Sequence, residues 1–263
     1  MTSPQEIAEV LTQLRRRAPL VHCMTNIVVA GFTANVLLAL DASPAMVENT
    51  HESAQFASAA DALLVNLGTL TTERAEAMQL AAWSAHDAGT PWVLDPVAVG
   101  GLVYRTDLAK ELLQASPTVI RGNASEVISL AGGAGAGRGV DSADGLNAAV
   151  PAADLLVPQH ARAIAVSGEV DYVTDGDEQV RVHNGDPLMT RVTGVGCALG
   201  AVVAACAAVA DSALTAAVAG TAIMTVAAEH AVRRSEGPGT FAVQLIDALA
   251  HLRPSDLEQE VRL

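Results

Sequence analysis

The sequence predicts an α/β protein with a mostly parallel central sheet and an antiparallel hairpin at one edge. Short apolar runs alternate with helical segments along most of the chain, which is the pattern of repeated strand–helix–strand units. Two short strands joined by the turn Asp175–Asp177 follow the last of these units and predict the hairpin. No internal repeat or linker is evident, so a single domain is expected over residues 1–263.

The composition narrows the class of protein and of ligand. Of the 263 residues, 51% are hydrophobic but only 3% are aromatic, so the core is expected to be aliphatic. The net charge of −14 argues against nucleic acid or an anionic membrane surface as a partner. Lys110 is the only lysine, and no glycine precedes it as in a Walker A loop. Any bound phosphate would therefore depend on backbone N–H groups and arginine.

The cysteines and the apolar segments indicate a cytoplasmic protein. Cys23, Cys197 and Cys206 are odd in number and widely spaced, which suggests neither a disulfide framework nor a structural zinc site. Residues 1–17 are polar and charged and lack the apolar stretch of a secretory signal. The apolar run 198–210 is too short and too rich in alanine to span a bilayer, so no membrane association is expected.

Capping and helix-breaking residues give the bounds of the predicted helices. Ser3 and Glu6 are spaced as a capping box, Pro19 ends the first helix, and Gly89 ends a later one. The helix at 32–40 is apolar on nearly every side and is expected to be buried. The predicted helices span residues 3–17, 32–40, 72–88, 106–114, 125–131, 201–210, 214–234 and 240–252.

Short apolar runs give the predicted strands, and polar residues follow several of them directly. The strands span residues 20–23, 62–67, 91–94, 117–120, 161–166, 171–174 and 179–183. The polar residues at strand ends are Asn26, Asn66, Asp95, Arg121 and Asn123. Because open α/β sheets bind ligands at the carboxyl ends of their strands, the sequence predicts a ligand site formed by these residues.

The glycine-rich segment Gly132–Gly139 is of low complexity. It follows a predicted helix rather than a strand, so it does not match the dinucleotide-binding pattern. A flexible loop is the simplest interpretation, and a mobile lid is the alternative.

The stretch around Gly194 and Gly196 predicts an anion site. These two glycines precede an alanine-rich helix, whose first N–H groups and positive dipole end attract an anion. Glycine also lets the backbone approach a phosphate closely. Cys197 would then lie beside the anion, in the first turn of the helix. The alternative is a simple turn followed by a small core cysteine.

Two carboxylates and an arginine extend this prediction to a metal-nucleotide. Asp95 follows a strand and Glu126 lies near a helix start, and both offer the oxygen ligands that Mg²⁺ accepts. Arg121 could reach a phosphate, and Ser167 at a strand end could donate a hydrogen bond to it. Taken singly, Asp95 could be a cap, Glu126 a first-turn charge, Arg121 a surface ion pair and Ser167 the end of its strand.

Several of these motifs together resemble the hydroxyethylthiazole kinases, in order over about residues 5–250. The motifs are Pro19–Asn26, Phe32–Asn35, Ala42–Met46, Leu94–Val97, Val119–Glu126 and Val192–Cys197. The resemblance implies the ribokinase-like three-layer α/β/α fold and a homotrimer with active sites at subunit interfaces. It also implies Mg-ATP-dependent phosphorylation of the hydroxyl of 4-methyl-5-(2-hydroxyethyl)thiazole, in thiamine biosynthesis or salvage.

The resemblance also implies a role for each site residue. Met46, Gly194 and Asn26 would bind the thiazole, Arg121 and Ser167 would bind ATP, and Asp95 and Glu126 would organise Mg²⁺. The anion hole would comprise Gly194, Val195, Gly196 and Cys197. Cys197 would occupy the position where related kinases usually have an aspartate base.

The sequence departs from the family pattern at two positions, and two other functions remain open. Val195 replaces a frequent threonine, which removes a hydroxyl but keeps the N–H group, and Ile27 replaces a common aromatic residue in the pocket wall. A related kinase of another small alcohol, such as the thiamine pyrimidine, is one alternative, although Cys197 argues against it. A dinucleotide-binding oxidoreductase is the other, although its glycine pattern normally opens the first βα unit.

Overall fold

The protein folds around one eight-stranded sheet. The computed structural model describes residues 2–133 and 142–263. The spatial order of the strands is β2-β1-β3-β4-β5-β6-β7-β8, with β1–β6 parallel and β7 and β8 antiparallel at one edge, as the sequence predicts. The strands are β1 (Leu20–Met24), β2 (Ser43–Ala45), β3 (Ala62–Asn66), β4 (Trp92–Asp95), β5 (Val119–Asn123), β6 (Ala163–Ser167), β7 (Asp171–Thr174) and β8 (Gln179–Val182).

Helices cover both faces of this sheet and complete three layers. On one face lie α1 (Pro4–Arg17), α2 (Ala30–Ala39), α8 (Val195–Ala207), α9 (Ala213–Val232), α10 (Pro238–His251) and α11 (Pro254–Glu260). On the other lie α3 (Ser53–Ala59), α4 (Thr72–Ala88), α5 (Val103–Leu112), α6 (Ala124–Leu130) and α7 (Ser142–His160). Short 3-10 turns at Ile27–Val29, Leu113–Ala115 and Pro187–Arg191 connect some of these elements.

The buried strands supply side chains to both helix layers. Within β4, Val93 packs into the core on the α8 side, and Leu94 packs into the core on the α4 side. Side chains of a strand alternate between the two faces of a sheet, so a strand covered on both faces is apolar throughout. This explains why the parallel strands appear in the sequence as unbroken apolar runs.

The core beneath α8 and α9 is made of small residues that allow close helix contact. A Cβ added at Gly220 on α9 would lie 2.9 Å from the Cα atom of Val203 on α8. Because no side chain separates the backbones there, Gly220 fixes the spacing of the two helices. Helix α9 is long and apolar enough to cross a membrane by length and composition alone, but 78% of its most apolar 18-residue stretch is buried inside the protein.

The structure corrects several sequence-based bounds. Helix α8 begins at Val195, six residues before the predicted start at 201, because the two glycines cap and open the helix rather than precede it as a separate turn. Helix α2 is not buried all round, since Leu38 is 56% exposed. The segment 43–46 includes β2, an edge strand that tolerates Pro44.

Three helices are absent from the sequence-based prediction. They are α3, α7 and α11. Helix α7 contains Pro151 and Pro158, which usually end a helix. Helices α3 and α11 have only seven residues each, too few to show a clear period. Most of the segment Gly132–Gly139, predicted as a loop or lid, lies outside the described residues.

Candidate active site

The structure gathers the predicted polar residues at one edge of the sheet. Asn66 and Asp95 are the last residues of β3 and β4, and Asn123 is the last residue of β5. Asn26 lies two residues beyond β1, and Arg121 lies within β5. Since all of these strands are parallel, their carboxyl ends meet at the same edge. The polar residues predicted at strand ends therefore lie along one edge of the sheet.

Arg121 connects three elements at this edge. Its Nη2 atom donates to Ser167 Oγ at 2.7 Å, and its Nη1 atom donates to the carbonyl of Gly196 at 3.1 Å. The Nη1 atom also lies 3.7 Å from Asp95 Oδ2. The guanidinium thus joins the end of β6, the first turn of α8 and the end of β4. Because its side chain is only 12% exposed, these contacts fix its direction.

Asp95 is a buried carboxylate with one free oxygen. Its Oδ2 atom accepts a hydrogen bond of 2.7 Å from Asn66 Nδ2, whereas Oδ1 has no partner among the described residues. Burial raises the pKa of Asp95 to about 7, which the positive charge of Arg121 opposes and the negative charge of Glu126 reinforces. An unpaired buried carboxylate oxygen is costly unless a ligand satisfies it, so this atom marks a binding position.

Glu126 holds the neighbouring loops in place. Its Oε2 atom accepts from the N–H of Asn123 at 2.9 Å and closes the capping box of α6. Its Oε1 atom accepts from the N–H of Ala98 at 3.0 Å. Both oxygens keep lone pairs beyond these contacts. Among the described residues, no three His, Cys, Asp or Glu side chains form a ready-made metal cluster.

The first two turns of α8 pack closely against these charged groups. Gly194 caps the helix with a φ of 101°, a conformation that favours glycine. A Cβ added at Gly196 would lie 3.4 Å from Arg121 Nη1, and one added at Gly200 would lie 3.3 Å from Asp95 Oδ2. The first N–H groups of an α-helix lack intrahelical acceptors. The first turn therefore presents free N–H donors beside Arg121.

Cys197 lies on the same turn, and its environment keeps the thiol protonated. Burial raises its pKa, and the negative charge of Asp95 raises it further. A hydrogen bond with the side chain of Asn66 and the positive charge of Arg121 act in the opposite direction without reversing the shift. The thiol, Asp95 and Arg121 therefore form one electrostatic unit.

The remaining predicted residues are Asn26, whose turn contacts the start of α8 at Gly194, and Met46, which follows the edge strand β2. Asn26 caps the turn Ile27–Val29, with its Oδ1 atom accepting from the N–H of Val28 at 3.1 Å. A Cβ added at Gly194 would lie 2.7 Å from the Cβ of Val29, so this turn and the start of α8 are in contact. Met46 follows β2 beside β1, and Met46 and Ile27 are 36% and 62% exposed.

Comparison with known proteins identifies the family. A sequence model of the hydroxyethylthiazole kinase family matches residues 11–255. A protein of Pectobacterium atrosepticum named hydroxyethylthiazole kinase is 55% identical over 255 residues, covering 97% of both chains. This chain belongs to the hydroxyethylthiazole kinase family.

One solved structure agrees with this assignment to the hydroxyethylthiazole kinase family, and a second shares the fold. A hydroxyethylthiazole kinase from Pyrococcus horikoshii superimposes with a TM-score of 0.90 at 36% identity, covering 97% of each chain. A pyridoxal kinase of Bacillus subtilis superimposes with a TM-score of 0.60 at 17% identity, covering 80% of this chain and 91% of that chain. The second likeness concerns the fold alone. The predicted ribokinase-like α/β/α fold is confirmed.

Two buried residues at this edge of the hydroxyethylthiazole kinase fold were not predicted from the sequence. Asp171, 7% exposed in β7, accepts from the N–H of Gly168 at 3.0 Å, next to Ser167. Arg74 on α4 contacts three loops around Asn26. Asp171 appeared in the sequence as part of an edge hairpin, and Arg74 as an ordinary helix charge. Neither residue follows a parallel strand, which was the signal that located the others.

Proposed function

We propose that this protein transfers the γ-phosphoryl group of ATP to the hydroxyl of 4-methyl-5-(2-hydroxyethyl)thiazole. The observation that carries the proposal is the bridging position of Arg121 between Ser167, the first turn of α8 and Asp95. Phosphoryl transfer depends mainly on positioning and on stabilising negative charge. An arginine beside a helix N-terminus supplies both for a phosphate.

The proposed ATP contacts come from Arg121 and Ser167. Ser167 already accepts a hydrogen bond from Arg121, so its hydroxyl hydrogen is free to donate to a phosphate oxygen. The backbone of Gly194, Val195, Gly196 and Cys197 would act as the anion hole around the transferring group. Val195 supplies its N–H group there, while its buried side chain adds no hydroxyl.

The residues present fit a magnesium ion held with ATP. The free Oδ1 atom of Asp95 is a suitable oxygen ligand, and Glu126 lies close enough to influence the charge of Asp95. Because the backbone already occupies both Glu126 oxygens in part, we propose that Glu126 acts through ordered water. Bound Mg²⁺ would neutralise phosphate charge.

The thiazole would lie between Asn26, Met46 and Gly194, with Cys197 nearest the hydroxyl. The exposed apolar side chains of Met46 and Ile27 offer a surface for an apolar ring. In place of the aromatic residue common in the family, Ile27 would give this wall an aliphatic surface. Cys197 would accept the hydroxyl proton, which its raised pKa makes it poorly suited to do at neutral pH.

We propose further that the chain works as one kinase domain in a cytoplasmic homotrimer, with each active site at a subunit interface. The exposed apolar residues Val28, two residues after Asn26, and Leu38, on α2, support a partner subunit on this side of the molecule. Nucleic acid and membranes are not expected as partners, in view of the net charge of −14.

A phosphoryl-transfer assay over a panel of small alcohols tests the substrate. The purified protein with Mg-ATP should convert the thiazole alcohol to its phosphate, detected by mass spectrometry, faster than it converts the thiamine pyrimidine alcohol. Calorimetric titration with Mg-ATP and with NAD separates the kinase from an oxidoreductase, and we expect heat only with Mg-ATP. Phosphorylation of another alcohol, with the thiazole alcohol unchanged, would show that the substrate is wrong.

A further inference from the structure

An arginine at the start of α4 lies where the local helix does not favour it. Arg74 is the third residue of α4, and a cation at a helix N-terminus meets the positive end of the helix dipole. Its side chain is nevertheless only 11% exposed. A buried cation in this position requires strong partners outside its own helix.

Those partners come from three separate loops at the carboxyl edge of the sheet. The Nη1 atom of Arg74 donates to the carbonyl and to the hydroxyl of Thr69, at 3.0 and 2.9 Å. The Nη2 atom donates to Glu48 Oε1 at 2.6 Å and to the carbonyl of Thr25. One planar guanidinium therefore joins the loops that follow β1, β2 and β3.

Each of these loops borders the pocket proposed for the thiazole. Thr25 immediately precedes Asn26, and Glu48 lies two residues after Met46. The hydroxyl of Thr69 also accepts from the N–H of Ile27 at 2.9 Å. The contacts of Arg74 thus reach the backbone on either side of Asn26 and the segment that carries Met46.

The backbone of Thr69 indicates that this arrangement is held under strain. Thr69 has a φ of 48°, which is unusual for a β-branched residue and persists only where surrounding contacts enforce it. Arg74 supplies two of those contacts through the carbonyl and the hydroxyl. Strained residues of this kind concentrate at ligand sites.

We propose that Arg74, together with Glu48, is a positioning residue for the acceptor alcohol. It fixes the loops of Asn26 and Met46 against each other, without touching ATP. This inference rests on the proposed function, because that proposal assigns Asn26 and Met46 to the thiazole pocket. It adds a determinant of acceptor binding that lies outside the motifs of the sequence.

Arg74→Ala and a matched control test the proposal. Arg15 on α1 donates in the same manner to the carbonyls of Leu252 and Leu249, at 2.6 and 3.0 Å, and its helix ends at the opposite edge of the sheet. We expect Arg74→Ala to raise KM for the thiazole alcohol between about tenfold and a hundredfold, while KM for ATP changes by less than about twofold. Arg15→Ala should lower stability without raising KM for the thiazole alcohol more than KM for ATP.

Two conservative variants show which part of the contact matters. Arg74→Lys keeps the charge opposite Glu48 but loses the fork that spans three loops, so an intermediate KM for the alcohol is expected. Glu48→Gln keeps the shape of the side chain without its charge, and should also raise the alcohol KM alone. Proportional changes in both KM values for Arg74→Ala, as for a folding defect, would overturn the proposal.

Hydrogen exchange provides a readout that does not depend on the reaction. Backbone amides of residues 25–28 and 46–49 should exchange faster in Arg74→Ala than in the parent or in Arg15→Ala. If exchange there is unchanged, Arg74 does not position these loops. If the parent protein leaves the thiazole alcohol unphosphorylated, the proposed function fails, and the exchange result still decides the role of Arg74.

Discussion

The thiol of Cys197 lies close to the negative charges of Asp95 and Glu126. Burial and the negative charge of Asp95 raise its pKa, so the thiol stays protonated at neutral pH and little thiolate is present to act as a base. We expect Cys197→Ser to lower kcat with little change in ATP affinity. Cys197→Asp supplies a group with an ordinary pKa of about 3.9 and should remain active, with a kcat that can exceed that of the parent.

Steady-state kinetics over a range of pH check this prediction. The kcat of the parent should rise as the pH increases above neutrality, because the thiolate fraction grows. Circular dichroism establishes that each variant is folded. A fully active Cys197→Ser protein, or a folded but inactive Cys197→Asp protein, would remove Cys197 from the position of the base.

Arg121 is expected to act on ATP much more than on the acceptor. Its bonds to Ser167 and Gly196 hold it beside the first turn of α8. A hydrogen bond from arginine to a phosphate contributes about 1.5–3 kcal/mol, so Arg121→Ala should weaken ATP binding by roughly tenfold or more. Calorimetric titration with each ligand measures the difference. Equal loss for ATP and for the thiazole would indicate a folding defect instead.

Asp171 makes stability depend on pH. Burial raises its pKa to about 6 in the folded protein, against the stronger acidity of an exposed aspartate, although Gly168 and Arg121 oppose the shift. The folded state therefore binds this proton more tightly, and the carboxyl's contribution to the free energy of unfolding falls as the pH rises from about 4 to about 6. Asp171→Asn keeps an acceptor for Gly168 and does not titrate.

Urea unfolding at pH 4.5 and pH 7.5, which covers the upper part of that range of about 4 to 6, measures most of this contribution. Relative to the parent, Asp171→Asn should gain roughly 1–3 kcal/mol between the lower and the higher pH. Asp177→Asn, in the exposed turn of the edge hairpin, serves as the control and should show no such gain. An equal response of both variants would contradict the role assigned to burial.

At the scale of residues, side chains that follow parallel strands could be predicted from the sequence. Side chains that join separate loops by hydrogen bonds could not. Asn66 and Asp95 were predictable because a polar residue directly after a buried run is conspicuous. The partners of Arg74 lie 5, 26 and 49 positions away in the chain, so no local pattern reveals them. The roles assigned to Met46 and Ser167 came from family resemblance and stay predictions.

Among the elements, the start of α8 is the one on which the proposed chemistry depends. Gly194 has a φ of 101°, and a Cβ added there would lie 2.7 Å from the Cβ of Val29. Gly194→Ala should therefore lower stability by more than about 1 kcal/mol and lower activity. Gly89→Ala is the matched control, because Gly89 has a φ of 72° and nothing within 4 Å of an added Cβ.

Thermal unfolding and kinetics of the two variants distinguish backbone strain at a positive φ from a steric clash with Val29. Gly89→Ala should lose stability through backbone strain alone and keep its KM values. Gly194→Ala should lose more stability and should also bind its substrates less well, since the turn at Val29 must move. Equal behaviour of the two variants would show that the contact between Val29 and α8 is unimportant.

Elements with clear local signals were predicted, and elements that depend on tertiary contacts were not. Helix α1 has a capping box and an amphipathic pattern, and its predicted bounds of 3–17 nearly match Pro4–Arg17. Helix α7 was missed because packing against α6 and β6 maintains it in spite of two prolines. The start of α8 at Val195 was predicted only in part, because Cys197 was placed in the first turn whereas the alanine-rich run gave a bound of 201.

For the molecule as a whole, the exposed apolar residues Val28 and Leu38 predict assembly. We expect sedimentation to give a particle of three times the 26.9 kDa mass of one chain. A charge substitution on the exposed face of α2, Leu38→Glu, should dissociate it and reduce activity, because the active sites are proposed to lie at interfaces. Asp107→Lys on α5 is the control and should leave the trimer intact. A stable monomer with full activity would contradict the proposal.

The single lysine of the chain allows the protein to be attached to a surface in one orientation. Lys110 is exposed in the last turn of α5, a helix that packs on the sheet face opposite α8. The N-terminal amine is the other target for amine-reactive reagents, and it can be blocked beforehand. Once that amine is blocked, coupling to a sensor surface or a dye occurs at one defined position. The sheet face that carries α8 would then point away from the support.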